Sequence, residues 1–314
     1  MGSERMKILI AGGSGFIGSV LIRHLLQREH EISVIVSPKR KRTVLPGSVT
    51  VIEGDILHPH FWTDLIENHQ VVINLAGSTI FRRWNRRVKS DLYVSRIPVT
   101  AHIVDALRTC SRANTHFFSS SGVGYYGYRM NETLDEDSDA GSSFLARLAV
   151  AWEGEAVKAR QYGVRVVLCR FGIVMGNGGG ALKNMLPFFK YRCGGTWGSG
   201  RQWFSWIHAH DLAQAVLFLL DHQEIEGAVN FTAPHPVTNH EMAQLLNTML
   251  RTRPVIPAIP GSLLHAVLGE FSDVFLKGQR VVPRKLIDGG FQFHFPHLEG
   301  CLSDLLGEKT HPGM

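Results

Sequence analysis

Residues 7–25 read KILIAGGSGFIGSVLIRHL, and this stretch decides the fold. KILIA is a short apolar run of the kind that forms a buried strand, and from Phe16 onward apolar residues recur at helical spacing. Between the two lies Gly-Gly-Ser-Gly-Phe-Ile-Gly. Gly13, Gly15 and Gly18 satisfy a GxGxxG spacing, and Gly12, Gly15 and Gly18 satisfy GxxGxxG. A glycine turn running from a strand into a helix lets backbone approach a pyrophosphate, and the free N–H groups of the first helical turn bind its charge. Gly12, Gly13, Ser14, Gly15, Phe16, Ile17 and Gly18 are therefore the candidate contacts of a dinucleotide.

Outward from this unit, strand and helix keep alternating. EISVIV (31–36), VTVIEGD (49–55) and VVINLAG (71–77) read as further strands, followed by one helix through about 91–109. THFFSSS (115–121), a helix near 143–161 and VRVVLCRFG (164–172) continue the pattern. The expected fold class is α/β: a Rossmann-like, doubly wound parallel sheet with a smaller α+β lobe for substrate at the C-terminal side. The sheet domain should cover 6–176 and regain the chain at 207–233, leaving 177–206 and 234–314 for the lobe.

The end of the second strand selects between dinucleotides. An NAD site places Asp or Glu there to hold the ribose 2′-hydroxyl. Here the strand ends Ile35-Val36-Ser37 without a carboxylate and runs into Pro38-Lys39-Arg40-Lys41-Arg42. A hydroxyl followed by cations suits a 2′-phosphate, so Ser37, Lys39 and Arg40 point to NADP(H) rather than NAD(H). Asp55 and Ile56, after the third strand, would lie at the adenine edge, and Leu75, Ala76 and Gly77 against the cofactor.

Composition removes several classes. No apolar run reaches the length of about 20 residues that spans a bilayer, MGSER (1–5) has no apolar signal core, and Met6 reads as a natural start behind a short leader. Cys110, Cys169, Cys193 and Cys301 are far apart without a CxxC, which argues against a disulfide framework or a zinc site and for a reducing, cytoplasmic compartment. The 16 histidines include no HExxH, so no metal is expected. Net charge is +6, but the basic clusters at 39–42 and 82–87 lack the extended stacking surface of a nucleic-acid groove. The expected partner is a small molecule, with neither nucleic acid nor membrane.

GGSGFIG, GDI, NLAG, SSSGVGYYG and VVLCRFGIVMG together resemble an extended, atypical short-chain dehydrogenase/reductase of the nucleotide-sugar epimerase type. RRWN…SR (82–96), GGGALKNMLPFF, GSGRQWFSWIHAHDL and PRKLIDGGFQF resemble more narrowly the "epimerase family" proteins, some described as cell-division-inhibitor-like. The block from about 265 to 310 looks like the small domain peculiar to that group. The resemblance implies cofactor contacts from Asp91 and Arg96, from Arg170, and from Ile173 and Val174 along the nicotinamide. It also implies a homodimer through the helices near 91–109 and 143–161.

The superfamily's proton relay, Ser with Tyr-x-x-x-Lys, uses an ammonium to bring a phenol down from about 10. No tyrosine of this chain has Lys four residues on. Where SSFLARLAVAWEGEA (142–156) should carry the pair, Leu145 and Ala149 stand instead. Ser121 matches the superfamily serine by resemblance, and Tyr125 or Tyr126 in the following YYG would supply the proton, unless the pair only closes the loop. Arg201, Gln202 and Trp203 combine cation, amide and aromatic ring and are candidate contacts for an anionic or sugar-like substrate. The expectation is an NADP(H)-dependent oxidoreductase; a nucleotide-sugar epimerase or dehydratase and a non-catalytic NADP(H)-sensing regulator remain as alternatives.

Overall fold

The computed structural model describes residues 5–37, 45–110 and 114–307. In chain order the elements that build the site are β1 (Lys7–Ala11), α1 (Phe16–Gln27), β2 (Glu31–Val36), β3 (Thr50–Glu53), α2 (Thr63–Glu67) and β4 (Val71–Asn74). They continue with α3 (Arg86–Val94), α4 (Ile97–Thr109), β5 (His116–Gly122), β6 (Thr133–Leu134), α5 (Phe144–Val157), β7 (Arg165–Phe171) and β8 (Ile173–Met175). After these come α6 (Gly180–Lys190) and α7 (Ala209–Asp221), then a strand at Gly227–Phe231. Seven parallel strands form the central sheet in the order β3-β2-β1-β4-β5-β7-(Gly227–Phe231). The winding reverses between β1 and β4, which opens a crevice at the carboxyl ends of the strands.

Side-chain alternation in the strands explains why both faces are covered. Ile8 and Ile10 of β1 pack with α1 and α7, beside Val34, Phe118 and Val229. Leu9 and Ala11 point the other way, onto α4 and the Val99–Leu107 surface. A run this apolar can only be a strand buried on both sides. A third core belongs to the smaller lobe, where Leu182, Met185 and Phe189 of α6 meet Trp206, Met242, Leu246 and Leu302.

Two expectations need correction. The single helix over 91–109 is two, because the helix is interrupted by a turn at Ser95 and Arg96, and Pro98 stands in the first turn of the second segment. The C-terminal region is also not wholly a lobe. Arg280–Val281 pairs with β6, and Leu286 and Phe291 join the core under α7.

Two buried histidines give this fold a pH signature. Burial, and then Arg165, holds His116 of β5 down at about 4. His208 caps α7 by accepting from the His210 N–H at 3.0 Å, and burial holds it at about 4 as well, opposed by Asp304. The unfolded chain takes these protons near 6.5 while the folded chain refuses them, so protonation favours unfolding. Stability should be full above about pH 6.5 and fall progressively towards pH 4. Urea unfolding at several pH values measures this, and His116→Phe should flatten the slope; an unchanged slope would remove His116 from the account.

Candidate functional site

The glycine turn sits at the mouth of the crevice, and its geometry selects between the two spacings. Gly12 has φ +78, and a Cβ there would lie 2.7 Å from the Leu75 carbonyl group. A Cβ on Gly18 would lie 2.5 Å from Gly13 Cα, so only glycine lets α1 pack on the turn. Gly15 precedes α1 with no side chain capping it, and a Cβ there would meet only the Gly12 carbonyl oxygen, at 3.2 Å. Turn, open position and close packing thus fall on Gly12, Gly15 and Gly18, while Gly13 is pressed on Val34. The half-buried Ser14 completes the turn, and Ile17 packs into the core beside α7. Phe16 has a tertiary role that its local sequence did not show. A Cβ on Gly176, Gly179 or Gly180 would strike its ring, so the glycine-rich loop before α6 closes around it.

The remaining expected cofactor positions divide. Ser37 directly follows β2 and is exposed; Lys39 and Arg40 lie outside the described residues. Asp55 is exposed and accepts from the Leu57 N–H at 3.0 Å, with the half-buried Ile56 between them. Leu75, Ala76 and Gly77 form the loop leaving β4, which Asn74 fixes by accepting from the Ala76 N–H at 3.1 Å while donating to Thr100 at 3.2 Å. Arg96 lies over Gly77, held by the carbonyls of Ser78 (3.0 Å) and Leu92 (3.1 Å). Burial lowers it to about 10, and no ion pair among the described residues includes it. It therefore stays cationic at neutral pH with a charge left to satisfy. Asp91 instead pairs with Arg82 at 3.6 Å on the outside of α3. Ile173 and Val174 lie in β8, paired with Trp206 and Ile207, Val174 buried and Ile173 half-buried.

Around the end of β5 the structure builds a closed polar chain. Ser121 Oγ donates to Glu153 Oε1 at 2.5 Å, and Arg170 grips the same carboxylate with Nε (2.9 Å) and Nη2 (2.8 Å). Arg170 Nη1 donates to the Tyr126 hydroxyl at 2.9 Å, which in turn donates to Asn230 Oδ1 at 2.7 Å. Glu136 accepts from the Asn230 N–H at 2.9 Å and ends the chain. Arg170, expected at the cofactor, is thus committed inside the protein. Tyr126 is fully buried, and desolvation pushes its phenol far above the usual range, so here it is a structural hydroxyl. Ser121 is itself buried, its hydroxyl committed as donor to Glu153. Tyr125 differs: it is half-buried, its ring stacks 3.5 Å from the Arg170 guanidinium, and its hydroxyl has no partner among the described residues.

Where the superfamily's tyrosine and lysine would project, Leu145 packs against Gly124 and Ala149 is buried. Next to this helix opens a cleft of about 620 Å³, lined by Trp84, Tyr128, Phe144, Arg147, Asp273 and Lys277 among others. Arg201, Gln202 and Trp203 do not line it. Gln202 donates to the Trp197 and Phe275 carbonyls at 2.9 and 2.7 Å, and Trp203 to Asn131 at 3.0 Å, while Arg201 is exposed. The sequence missed Trp84, Phe144 and the 270–277 segment because they converge only in the fold.

The sheet order, the switch point and the open glycine turn define an extended short-chain dehydrogenase/reductase fold. The chain belongs to the NAD dependent epimerase/dehydratase family, whose model matches residues 8–231, and residues 259–305 match a further domain of unknown function. It is 37% identical over 311 residues to the chloroplastic epimerase family protein SDR39U1 homolog of Arabidopsis thaliana, covering 96% of this chain and 87% of that one. The crystal structure of human epimerase family protein SDR39U1 (isoform 2) with NADPH superposes with a TM-score of 0.82 at 31% identity, over 96% of this chain and 99% of that one. A Thermus thermophilus UDP-glucose 4-epimerase solved with NAD shares the fold at 20% identity, with a TM-score of 0.76 over 96% and 100% of the two chains. Among the described residues no helix is long and apolar enough to cross a membrane.

Proposed function

We propose that this protein is an NADP(H)-dependent oxidoreductase acting on a small carbonyl or hydroxyl compound in the cleft beside α5. The open glycine cradle carries the reading: at Gly15 the backbone leaves room for a phosphate, and the first turn of α1 offers uncapped N–H groups to it. The carboxylate-free end of β2 and the human relative solved with NADPH support the phosphorylated form. When bound, the nicotinamide supplies or takes the hydride. The chain's own residues hold the pyrophosphate at the cradle and offer Arg96 as a half-buried cation beside Gly77. Tyr125, half-buried near the end of β5, is the tyrosine of the pair whose hydroxyl no described residue binds.

Calorimetric titration with NADPH, NADP⁺, NADH and NAD⁺, repeated on Arg40→Ala, tests the cofactor. Preference for the phosphorylated pair, lost in the variant, is expected; no binding by any of the four would end the reading. Tyrosine roles separate by replacement. Tyr125→Phe should lower kcat about 10²–10⁴-fold with cofactor affinity unchanged. Tyr126→Phe should instead cost about 1–3 kcal/mol of stability, because it strands Asn230 and one arm of Arg170. Equal turnover in wild type and Tyr125→Phe would remove Tyr125 from catalysis.

A second reading, a cofactor-binding regulator without turnover, is favoured by the apolar Leu145 and Ala149 in place of the relay. Tight dinucleotide binding with no oxidation or reduction across a panel of carbonyl compounds and nucleotide sugars would select it.

A further inference from the structure

The 620 Å³ cleft lies between the Tyr126–Arg147 segment and the helical turn at Asp273–Leu276. Its charges are not evenly satisfied. Glu270 accepts from Lys89 at 2.5 Å, and Asp273 pairs with Lys277 at 2.9 Å. Arg129 pairs with Glu132 at 3.4 Å. Arg147, one turn into α5, touches no carboxylate among the described residues and bonds only to the Ser142 carbonyl. Every carboxylate lining the cleft is therefore already matched, and one guanidinium is left over. The apolar lining is aromatic rather than aliphatic. Phe144 meets Trp84 edge to face, with ring centroids 5.2 Å apart, and Lys89 sits 4.7 Å over the Phe144 ring. Tyr128 lies under Lys277, and burial followed by Asp273 and Glu270 pushes its phenol up to about 12, so it remains a hydroxyl donor at neutral pH.

We propose that this cleft binds a small ring-bearing anion, its carboxylate or phosphate held by Arg147 and its ring against Phe144 and Trp84. The inference rests on the oxidoreductase reading and names the substrate class for it. A planar guanidinium with Nη1 on the Ser142 carbonyl still presents Nε and Nη2 side by side and suits either anion, because two parallel N–H donors match two oxygens. Aromatic walls suit a flat ring and add little for a flexible chain. The pairing of Glu270 and Asp273 with their own lysines keeps the cleft from repelling an anion, which two free carboxylates would do.

Ligand-observed NMR titration of the NADPH-loaded protein with benzoate, phenyl phosphate and uncharged benzyl alcohol tests this directly. Benzoate or phenyl phosphate should bind and benzyl alcohol should not, and which anion binds tighter distinguishes carboxylate from phosphate recognition. Arg147→Gln should weaken the bound anion about ten- to hundredfold, and Arg147→Lys by less. Binding that is equal in wild type and Arg147→Gln, or absent for both anions, would overturn the proposal. The same titration without NADPH separates the two readings. Anion binding that needs Arg147 while no dinucleotide binds would sustain the cleft and sink the oxidoreductase.

Discussion

Arg170→Ala is expected to lower the unfolding free energy by about 3–5 kcal/mol, because it leaves a buried carboxylate without its counter-charge. The two charged side chains are 5% and 6% exposed, so water cannot replace the guanidinium when it goes. Glu153 would stay buried with Ser121 Oγ as its remaining side-chain donor, and the Tyr126 hydroxyl would lose its own donor. Tyr125 would lose the cation under its ring as well. Urea denaturation reads the loss. Glu153→Met combined with Arg170→Met should be less destabilised than either single change, since it removes both charges instead of orphaning one. A cost near that of an exposed pair, below about 1 kcal/mol, would mean that water reaches the site.

Gly18→Ala and Gly15→Ala should each weaken NADPH binding on the order of 100-fold, by opposite routes. At Gly18 the added methyl meets the Gly13 backbone at 2.5 Å, so α1 must move off the turn and the fold must loosen with it. At Gly15 the protein itself offers almost no obstacle, only the Gly12 carbonyl oxygen at 3.2 Å, so stability should barely change while the methyl enters the phosphate's space. Calorimetry with NADPH and thermal unfolding of the two variants separate the effects. If Gly15→Ala bound NADPH like the wild type, the cradle would not be the phosphate site, and the proposed function would lose the observation that carries it.

The glycine turn shows how much of the site was legible in advance. Its three glycines, the strand before it and the helix after it are consecutive, and each obeys a local steric rule. Local pattern could not choose between Gly12 and Gly13 for the first glycine. That choice depends on the loop after β4, which presses on Gly12 from more than sixty residues away. Ser121 and the two tyrosines illustrate the opposite case. Their hydroxyls read as a reactive cluster, yet Glu153, Arg170 and Asn230 bind two of the three within the core and leave Tyr125 outside. Gln202 and Trp203 read as substrate contacts and instead tie the lobe to Phe275 and Asn131.

The sequence alone determined the parallel α/β sheet, the dinucleotide turn and the absence of a Tyr-x-x-x-Lys pair, because each follows from residues close together in the chain. Tertiary structure alone decided which polar groups face solvent and which are consumed in the core. It also decided that the cleft takes its walls from Trp84, α5 and residues 270–277 together. Hydrophobic periodicity is a local signal, whereas the satisfaction of a buried charge depends on partners that only the packed chain brings within 3 Å.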